Sequence, residues 1–372
     1  MRHPENLPDK ETAGYQLLEL VAISGELPAD QLRRLPGGDA YKLNVVRALK
    51  SKKLLRTYYR NGLRGYRLTS SAKEALLWEN PARFSFSLTG ASETNLVKSE
   101  ITRRLRLHRV AEATVTMMNA DILFFRDEKP FLFSPVWDNS SEFVRTPVFY
   151  NSREIKEIGT VFVKIRGARS VGVLLTSADI FVVYNLGDSL MKWEYKSEMR
   201  TKALMKTVLC RERLPSQYSP DAVQGLIFGN SMELACDILN EAGGKQYFIL
   251  DGNYEHFYFL TNDRKGEKLL KLLCSRKLRK QLEDILLTDL YEGNTGSTLE
   301  NDAFDGNGTP VLFGYFCDLP RIRRFDTALR LQNKNGILIC FDFQQDALKQ
   351  YCSELITFQT IDFEKWERSF FE

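Results

Sequence analysis

The chain has 372 residues, three histidines, six cysteines and a net charge of +4, long enough for two or three domains around sizeable cores. Cys210, Cys236, Cys274, Cys317, Cys340 and Cys352 show no CxxC spacing and the histidines lie far apart, which argues against a structural zinc site. No apolar run reaches the roughly 20 residues of a spanning helix, and none follows a basic start, so membrane insertion and secretion are disfavoured and a reduced, cytoplasmic protein is expected.

Charge is unevenly placed. Residues 1–77 hold fourteen Lys/Arg against eight Asp/Glu, a net of +6, which leaves −2 for the remainder. Residues 40–73 carry ten basic side chains (Lys42, Arg47, Lys50, Lys52, Lys53, Arg56, Arg60, Arg64, Arg67, Lys73) and no Asp or Glu. A local cationic face on a near-neutral body suits docking on a polyanion, since counterion release needs clustered charge.

In chain order, Tyr15, Leu17, Leu18, Leu20, Val21 and Ile23 follow a helical period that Gly25 ends. Pro28 opens a short second helix through Leu35, and Pro36-Gly37-Gly38 breaks it. Asp39 is placed to cap a third helix over residues 40–53. Residues 54–59 and 65–69 read as strands joined by Asn61-Gly62, a pair that favours a tight turn with positive φ, and Ser70 or Ser71 caps a fourth helix. On the third helix Leu43, Val46, Leu49 and Leu54 are predicted to turn inward, leaving Lys42, Asn44, Arg47, Lys50 and Lys53 outward. Asn44 and Arg47 are the candidates for reading base edges, Lys residues for phosphates, and Arg56, Arg60 and Arg64 for contacts from the hairpin, with Tyr58 and Tyr59 stacking or packing.

The run VVRALKSKKLLRTYYRNGLRGYRLT (residues 45–69) resembles the winged helix-turn-helix domains of bacterial and plasmid-borne DNA-binding proteins, over about the first eighty residues. The resemblance implies binding of double-stranded DNA; the other readings are a protein-docking module and a solvated basic face.

Asn80-Pro81 begins what reads as a polar connection through SFSLTGASETN. Residues 98–118 are helical, with a second basic cluster at Arg103, Arg104, Arg106 and Arg109 that either extends a DNA track or pairs with acids. Beyond it the pattern is α/β: a helix over 151–158, strands over 170–176, 179–185 and 190–196, a helix over 197–209 and a strand over 222–229. This order resembles the core of the PD-(D/E)xK nuclease superfamily. The likeness implies an acid, Asp179, and an E-x-K pair, Glu194 and Lys196, converging on Mg²⁺, with Glu154 as an additional carboxylate; Asp179 and Glu194 would hold the metal and Lys196 the attacked phosphate. Ala178 stands where the superfamily's name has Pro. On the other reading Lys192, Glu194 and Lys196 form a charged strand face, with Trp193 and Tyr195 in the core.

A winged helix followed by such a body also resembles, in arrangement, the replication-relaxation proteins of plasmids and conjugative elements. That implies a non-cleaving accessory in replication or mobilisation, working with replication or mobilisation proteins, monomeric or as a homodimer; the alternative is a metal-dependent endonuclease targeted by the winged helix. The last segment reads as a hairpin over 246–261, helices over 266–287, a polar loop over 293–310 that is a lid or a plain insertion, strands over 311–316 and 337–343, and an aromatic end. The expected architecture is therefore mixed α+β, with a winged helix over 1–80, a restriction-endonuclease-like α/β domain over 95–240 and a C-terminal α/β extension over 241–372.

Overall fold

A computed structural model describes residues 7–135, 143–158, 168–244, 247–248, 250, 252–292 and 299–371. The chain is mixed α+β and divides into two compact units, Met1–Phe131 and Leu132–Glu372. No described helix is long and apolar enough to cross a membrane.

In the first unit, α1 (Ala13–Ser24) starts where Thr12 accepts the Tyr15 amide and stops at Gly25, whose φ of 75° is left-handed. Strand β1 (Leu27–Pro28) leads into a 3-10 helix (Ala29–Arg34). Helix α2 (Asp39–Ser51) is preceded by Gly38 at the cap position, so Asp39 sits inside the first turn instead of capping it. Strands β2 (Leu55–Arg60) and β3 (Leu63–Leu68) form the expected hairpin, with Asn61 at φ 51° and Gly62 at φ 76°. The sheet order is β1-β3-β2, all antiparallel. Helix α3 (Ser70–Glu79) is capped by Thr69, not by either serine. The stretch expected as a polar connection begins instead with α4 (Pro81–Leu88), because Asn80 accepts the Arg83 amide at 3.0 Å and Pro81 suits a first helical position.

Helix α5 (Ile101–Asn119) was expected to open the second domain, yet it belongs to the first. Its Ala111 and Val115 join the core made by Leu17, Leu18, Leu20 and Val21 of α1 with Val46, Leu49, Leu55, Tyr66, Leu68, Leu76 and Phe84. The boundary expected at residue 80 therefore falls within one hydrophobic core.

A buried carboxylate ties these elements together. Glu26, between α1 and β1, is 0 % exposed. It accepts Arg67 Nε of β3 at 2.7 Å, Arg104 Nε at 3.1 Å and Nη2 at 2.5 Å, and lies 2.8 Å from His108 Nε2, the last two residues on α5. Burial pushes the Glu26 pKa up, but the bonds from His108, Arg104 and Arg67 outweigh it and hold the carboxyl at about 2.

In the second unit the first sheet has the order β4-β5-β6-β7-β8. Strand β4 (Val148–Asn151), short α6 (Ser152–Ile155), β5 (Gly172–Leu175) and β6 (Ile180–Gly187) precede α7 (Tyr195–Thr207), which continues into a π-helical stretch, Val208–Arg213. Strand β7 (Val223–Gly229), α8 (Glu233–Leu239) and β8 (Phe257–Thr261) follow. The β4-β5 and β5-β6 pairs are antiparallel, whereas β6-β7 and β7-β8 are parallel. Every residue of β6 is buried, as a strand covered on both faces requires. Pairing of β8 with β7 places the boundary expected at residues 240–241 inside one sheet. The hairpin expected over 246–261 is not a hairpin in its described part: β8 takes a parallel partner, and Gln246 and Asp251 lie outside the described residues.

Helices α9 (Arg264–Cys274) and α10 (Arg276–Leu286) lead to the second sheet, of order β13-β12-β11-β10-β9. It comprises β9 (Tyr291–Glu292), β10 (Ala303–Phe304), β11 (Pro310–Phe313), α11 (Leu319–Gln332), β12 (Gly336–Phe341), α12 (Asp342–Lys349), β13 (Ile356–Ile361) and α13 (Phe363–Phe371), with β11, β12 and β13 parallel. The polar loop expected over 293–310 contains β10; its residues 293–298 lie outside the described ones.

Replacing Glu26 by Gln removes an anion while leaving Arg67 and Arg104 buried, which is expected to destabilise the first unit by about 3 to 5 kcal/mol in urea unfolding. The wild-type carboxylate contributes fully above its unfolded value of 4.5, and that contribution is lost as pH falls through about 2. Wild-type stability should therefore fall more steeply over this interval than that of the variant; equal slopes would overturn the assignment.

Candidate nucleic-acid interface

The face of α2 differs in two positions from the one its periodicity suggested. Lys42 is buried: its ammonium donates to the carbonyls of Arg33 at 2.8 Å and Leu35 at 3.3 Å and pairs with Asp39 at 3.0 Å. Leu43, expected inward, is 47 % exposed, and Tyr41 beside it is 52 % exposed. Val46 and Leu49 are buried as expected. Lys42 turns inward because the preceding turn offers two carbonyls within reach of its long stem. The outward face then consists of Asp39, Ala40, Tyr41, Leu43, Asn44, Arg47, Ala48 and Ser51. Arg47 donates to the Asn44 side-chain oxygen at 2.9 Å, so the two candidate base readers form one pre-positioned unit.

The hairpin divides its side chains between two faces, as the period of two demands. Arg56, Tyr58 and Arg60 share one face with their partners Arg67, Gly65 and Leu63; Thr57 and Tyr59 share the other with Tyr66 and Arg64. The first face is turned to the Glu26 network: the Arg67 guanidinium lies 3.6 Å and that of Arg104 4.8 Å from the Tyr58 ring. The Tyr58 hydroxyl is held below its ordinary pKa, first by a hydrogen bond with Arg60. Tyr58 therefore packs. Tyr59, opposite Arg64, is 70 % exposed and lies on the face to which α2 belongs, where the Lys50 ammonium sits 5.7 Å from the Tyr66 ring.

The tip is fixed from behind. Arg104 donates to the carbonyls of Arg60 at 2.8 Å and Leu63 at 3.0 Å, on either side of the Asn61-Gly62 turn. The second basic cluster thus serves structure in large part. Arg104 is buried, Arg103 pairs with Glu100 at 2.8 Å, and Arg106 pairs with Glu93. Of the ten cations in residues 40–73, three are engaged internally: Lys42, Arg67 and Lys73, whose ammonium bonds Asn95. Arg47, Lys50, Lys52, Lys53, Arg56, Arg60 and Arg64 are exposed or half-exposed and hold no ion pair among the described residues. Glu26 was not singled out in the sequence; a lone acid before a Leu-Pro pair carries no signal of its three distant partners.

The four residues suggested for metal-dependent cleavage do not assemble. Asp179 immediately precedes β6, where Gln224 donates to it at 3.3 Å and Arg279 lies 3.6 Å away. Glu194 and Lys196 follow the other end of β6, whose eight residues span roughly 25 Å at about 3.3 Å each. The strand expected over 190–196 is absent; Lys192 makes an isolated antiparallel bridge to Tyr247, and α7 begins at Tyr195, with the Glu194 carbonyl accepting the amides of Ser197 and Glu198. Glu194 and Lys196 are exposed there and share no strand face. Trp193 packs on Phe248 and Tyr184, whereas Tyr195, expected in the core, is 48 % exposed. Glu154 bonds the Asn151 amide at 2.9 Å and closes the capping box of α6. These residues do not fit a Mg²⁺ site, and among the described residues no group of three His, Cys, Asp or Glu side chains is placed to hold a metal.

The chain matches no known family, no curated protein and no solved structure in the three comparisons made.

Lys42→Met removes the donor from two buried carbonyls and should cost about 1 to 3 kcal/mol. Arg47→Ala, on the open face, should change stability by no more than about 0.5 kcal/mol. Thermal unfolding of both variants checks this sorting, and equal losses would contradict it.

Proposed function

We propose that the chain binds double-stranded DNA sequence-specifically without cleaving it, through a winged helix-turn-helix in which α2 enters the major groove and the β2–β3 hairpin is the wing. The observation that carries this reading is the set of seven cations, from Arg47 to Arg64, that hold no ion pair among the described residues, on one helix, the turn that follows it and one hairpin, while the other three of the segment are engaged internally. Such charge is stabilised by phosphate and costs self-repulsion without it. The Asn44–Arg47 pair supplies donors suited to base edges, and exposed Leu43 and Tyr41 supply apolar surface suited to a thymine methyl. Tyr59 and Arg64 share the sheet face on the α2 side and therefore contact DNA together with that helix, whereas Arg56 and Arg60 lie on the opposite face.

The second unit is read as a nuclease-like α/β body that has a binding or scaffolding role. Strands β5 and β6, α7 and β7 lie where expected, whereas the third antiparallel strand, β4, precedes α6 and no strand forms over 190–196. Separation of Asp179 from Glu194 and Lys196 speaks against cleavage by those residues. Together with the likeness in arrangement to replication-relaxation proteins, this supports a cytoplasmic accessory role in replication or mobilisation of a plasmid or conjugative element, with replication or mobilisation proteins as partners.

The deciding experiment is selection of bound duplexes from a random pool, followed by fluorescence anisotropy on the recovered site. If the four cations other than Arg47 that do not lie on the far hairpin face, Lys50, Lys52, Lys53 and Arg64, touch phosphate, their contacts should give log K a slope of roughly −4 against log salt. Arg47→Ala should cost about 1 to 3 kcal/mol at the selected site and much less on random DNA. Arg64→Ala should weaken binding more than Arg56→Ala. Recovery of no sequence together with a flat salt response would overturn the reading and leave the basic face as a docking surface for an acidic protein.

A further inference from the structure

Residues 264–280 form a second run of charge: Arg264, Lys265, Lys268, Lys271, Arg276, Lys277, Arg279 and Lys280 against the single acid Glu267. The fold divides it sharply. On α9 the cations are committed to the protein: Arg264 Nε donates to Glu367 at 3.0 Å, Lys268 lies 3.5 Å from Glu367, and Lys265 and Lys271 sit over the rings of Phe343 and Phe371. On α10 Arg279 faces Asp179. Arg276, Lys277 and Lys280 remain, all exposed and in no ion pair among the described residues. At positions i, i+1 and i+4 they fall within an arc of about 100° on one side of the helix.

This placement is unfavourable for the protein alone. Arg276 and Lys280 are like charges one turn apart, and the order of charge along α10, cations first and Glu283 and Asp284 last, opposes the helix dipole at both ends. A bound polyanion would relieve the repulsion. The apolar side of α10 is mostly spent on its own fold: Leu282 is buried and Leu278 and Leu286 are half-buried, with Ile285 at 59 % exposure its one open apolar residue. The basic face therefore has no apolar stripe of its own to insert into a bilayer, and a rigid polyelectrolyte fits it better than a membrane.

We propose that Arg276, Lys277 and Lys280 form a second DNA-backbone contact, carried by the second unit and engaging phosphates beyond those held by α2 and the hairpin. The choice of DNA as the polyanion rests on the function proposed above. Contacts of this kind position the duplex and add affinity without adding sequence preference.

The test uses the full chain and a long duplex, with the slope of log K against log salt as the readout. Arg276→Ala/Lys277→Ala/Lys280→Ala should lessen the slope by about 2 to 3, leave the midpoint of thermal unfolding at or slightly above the wild-type value and lower affinity for selected and random sequence by the same factor. Lys277→Arg/Lys280→Arg should retain the wild-type slope. An unchanged slope in the alanine variant, with a reduced one in Arg47→Ala/Arg64→Ala, would overturn the α10 contact and leave the first unit's role standing. The reverse pattern would uphold α10 and overturn the first unit's role. A wild-type chain that binds no duplex at low salt would overturn both, and loss in the alanine variant of binding to phosphatidylserine vesicles, with DNA binding intact, would overturn the choice of DNA.

Discussion

One buried carboxylate sets the geometry of the first unit. Glu26 accepts from Arg67 and Arg104 and is hydrogen-bonded to His108, so it draws β3 and α5 onto the junction of α1 and β1. The same constraint selects glycine at position 65, where a Cβ would lie 2.4 Å from Glu26 Oε1. Arg104 extends the grip to the carbonyls flanking the hairpin turn. With fewer donors, desolvation at zero exposure would raise the carboxyl pKa instead of leaving it near 2, as it does for Glu198. The arginines are thus required by the acid, and the acid makes them unavailable to any external anion.

That exchange explains what could be read from the chain and what could not. The helices and strands of the first unit followed local period and turn chemistry, and those were legible: the Asn61-Gly62 hairpin and the helix stopped by Gly25 lie where expected. Lys42 and Leu43 were misassigned because binary patterning treats lysine as outward, whereas its stem can lie along the core while its ammonium reaches two carbonyls. Among the basic residues, sequence alone could not separate Arg67 and Arg104 from Arg47 and Arg64. The difference rests on a partner 41 residues from Arg67 and 78 from Arg104, a long-range pairing with no local signature. The helix from Pro81 was missed for a different reason: Asn-Pro was weighed as a turn signal when Asn80 and Pro81 are equally a cap and a first helical residue.

In the second unit β5, β6, α7 and β7 were legible, whereas β4 and the lack of a strand over 190–196 were not, and neither was the chemistry attached to them. Trp193 and Glu198 settle where the chain turns after β6. The Glu198 carboxyl is buried, accepting the Tyr184 hydroxyl at 3.0 Å and the Arg169 amide at 2.7 Å, and its pKa is pushed up to about 6, first by burial. Tyr184 in turn meets the Tyr254 hydroxyl at 3.1 Å, so a chain of polar contacts crosses the interior beside β6. Anchoring Glu198 inward fixes the phase of α7, and that phase carries Lys196 and Met199 to the surface. Alternation of Lys192, Glu194 and Lys196 mimicked a strand because so short a window cannot distinguish a period of two from the approach to a helix.

Both units sort their cations by the same physical rule. Where an acid, a carbonyl or an aromatic face lies within reach, the cation is taken into the fold, as Arg67, Lys42 and Lys265 are. What remains outside is charge that local pairing does not neutralise; among the described residues it includes the cations of α2, the turn after it and the hairpin in one unit and those of α10 in the other. A net charge of +4 understates that field, because the internal pairs cancel in the sum and contribute little at the surface. Unpaired cations held on rigid elements repel one another in the free protein, and an incoming phosphate backbone lowers that cost at each contact while releasing its own counterions. Affinity built this way must fall steeply with salt. On the proposed reading, discrimination between sequences would rest with the Asn44–Arg47 pair, whose two side chains are already hydrogen-bonded to one another and so would lose less freedom on meeting a base than two independent side chains.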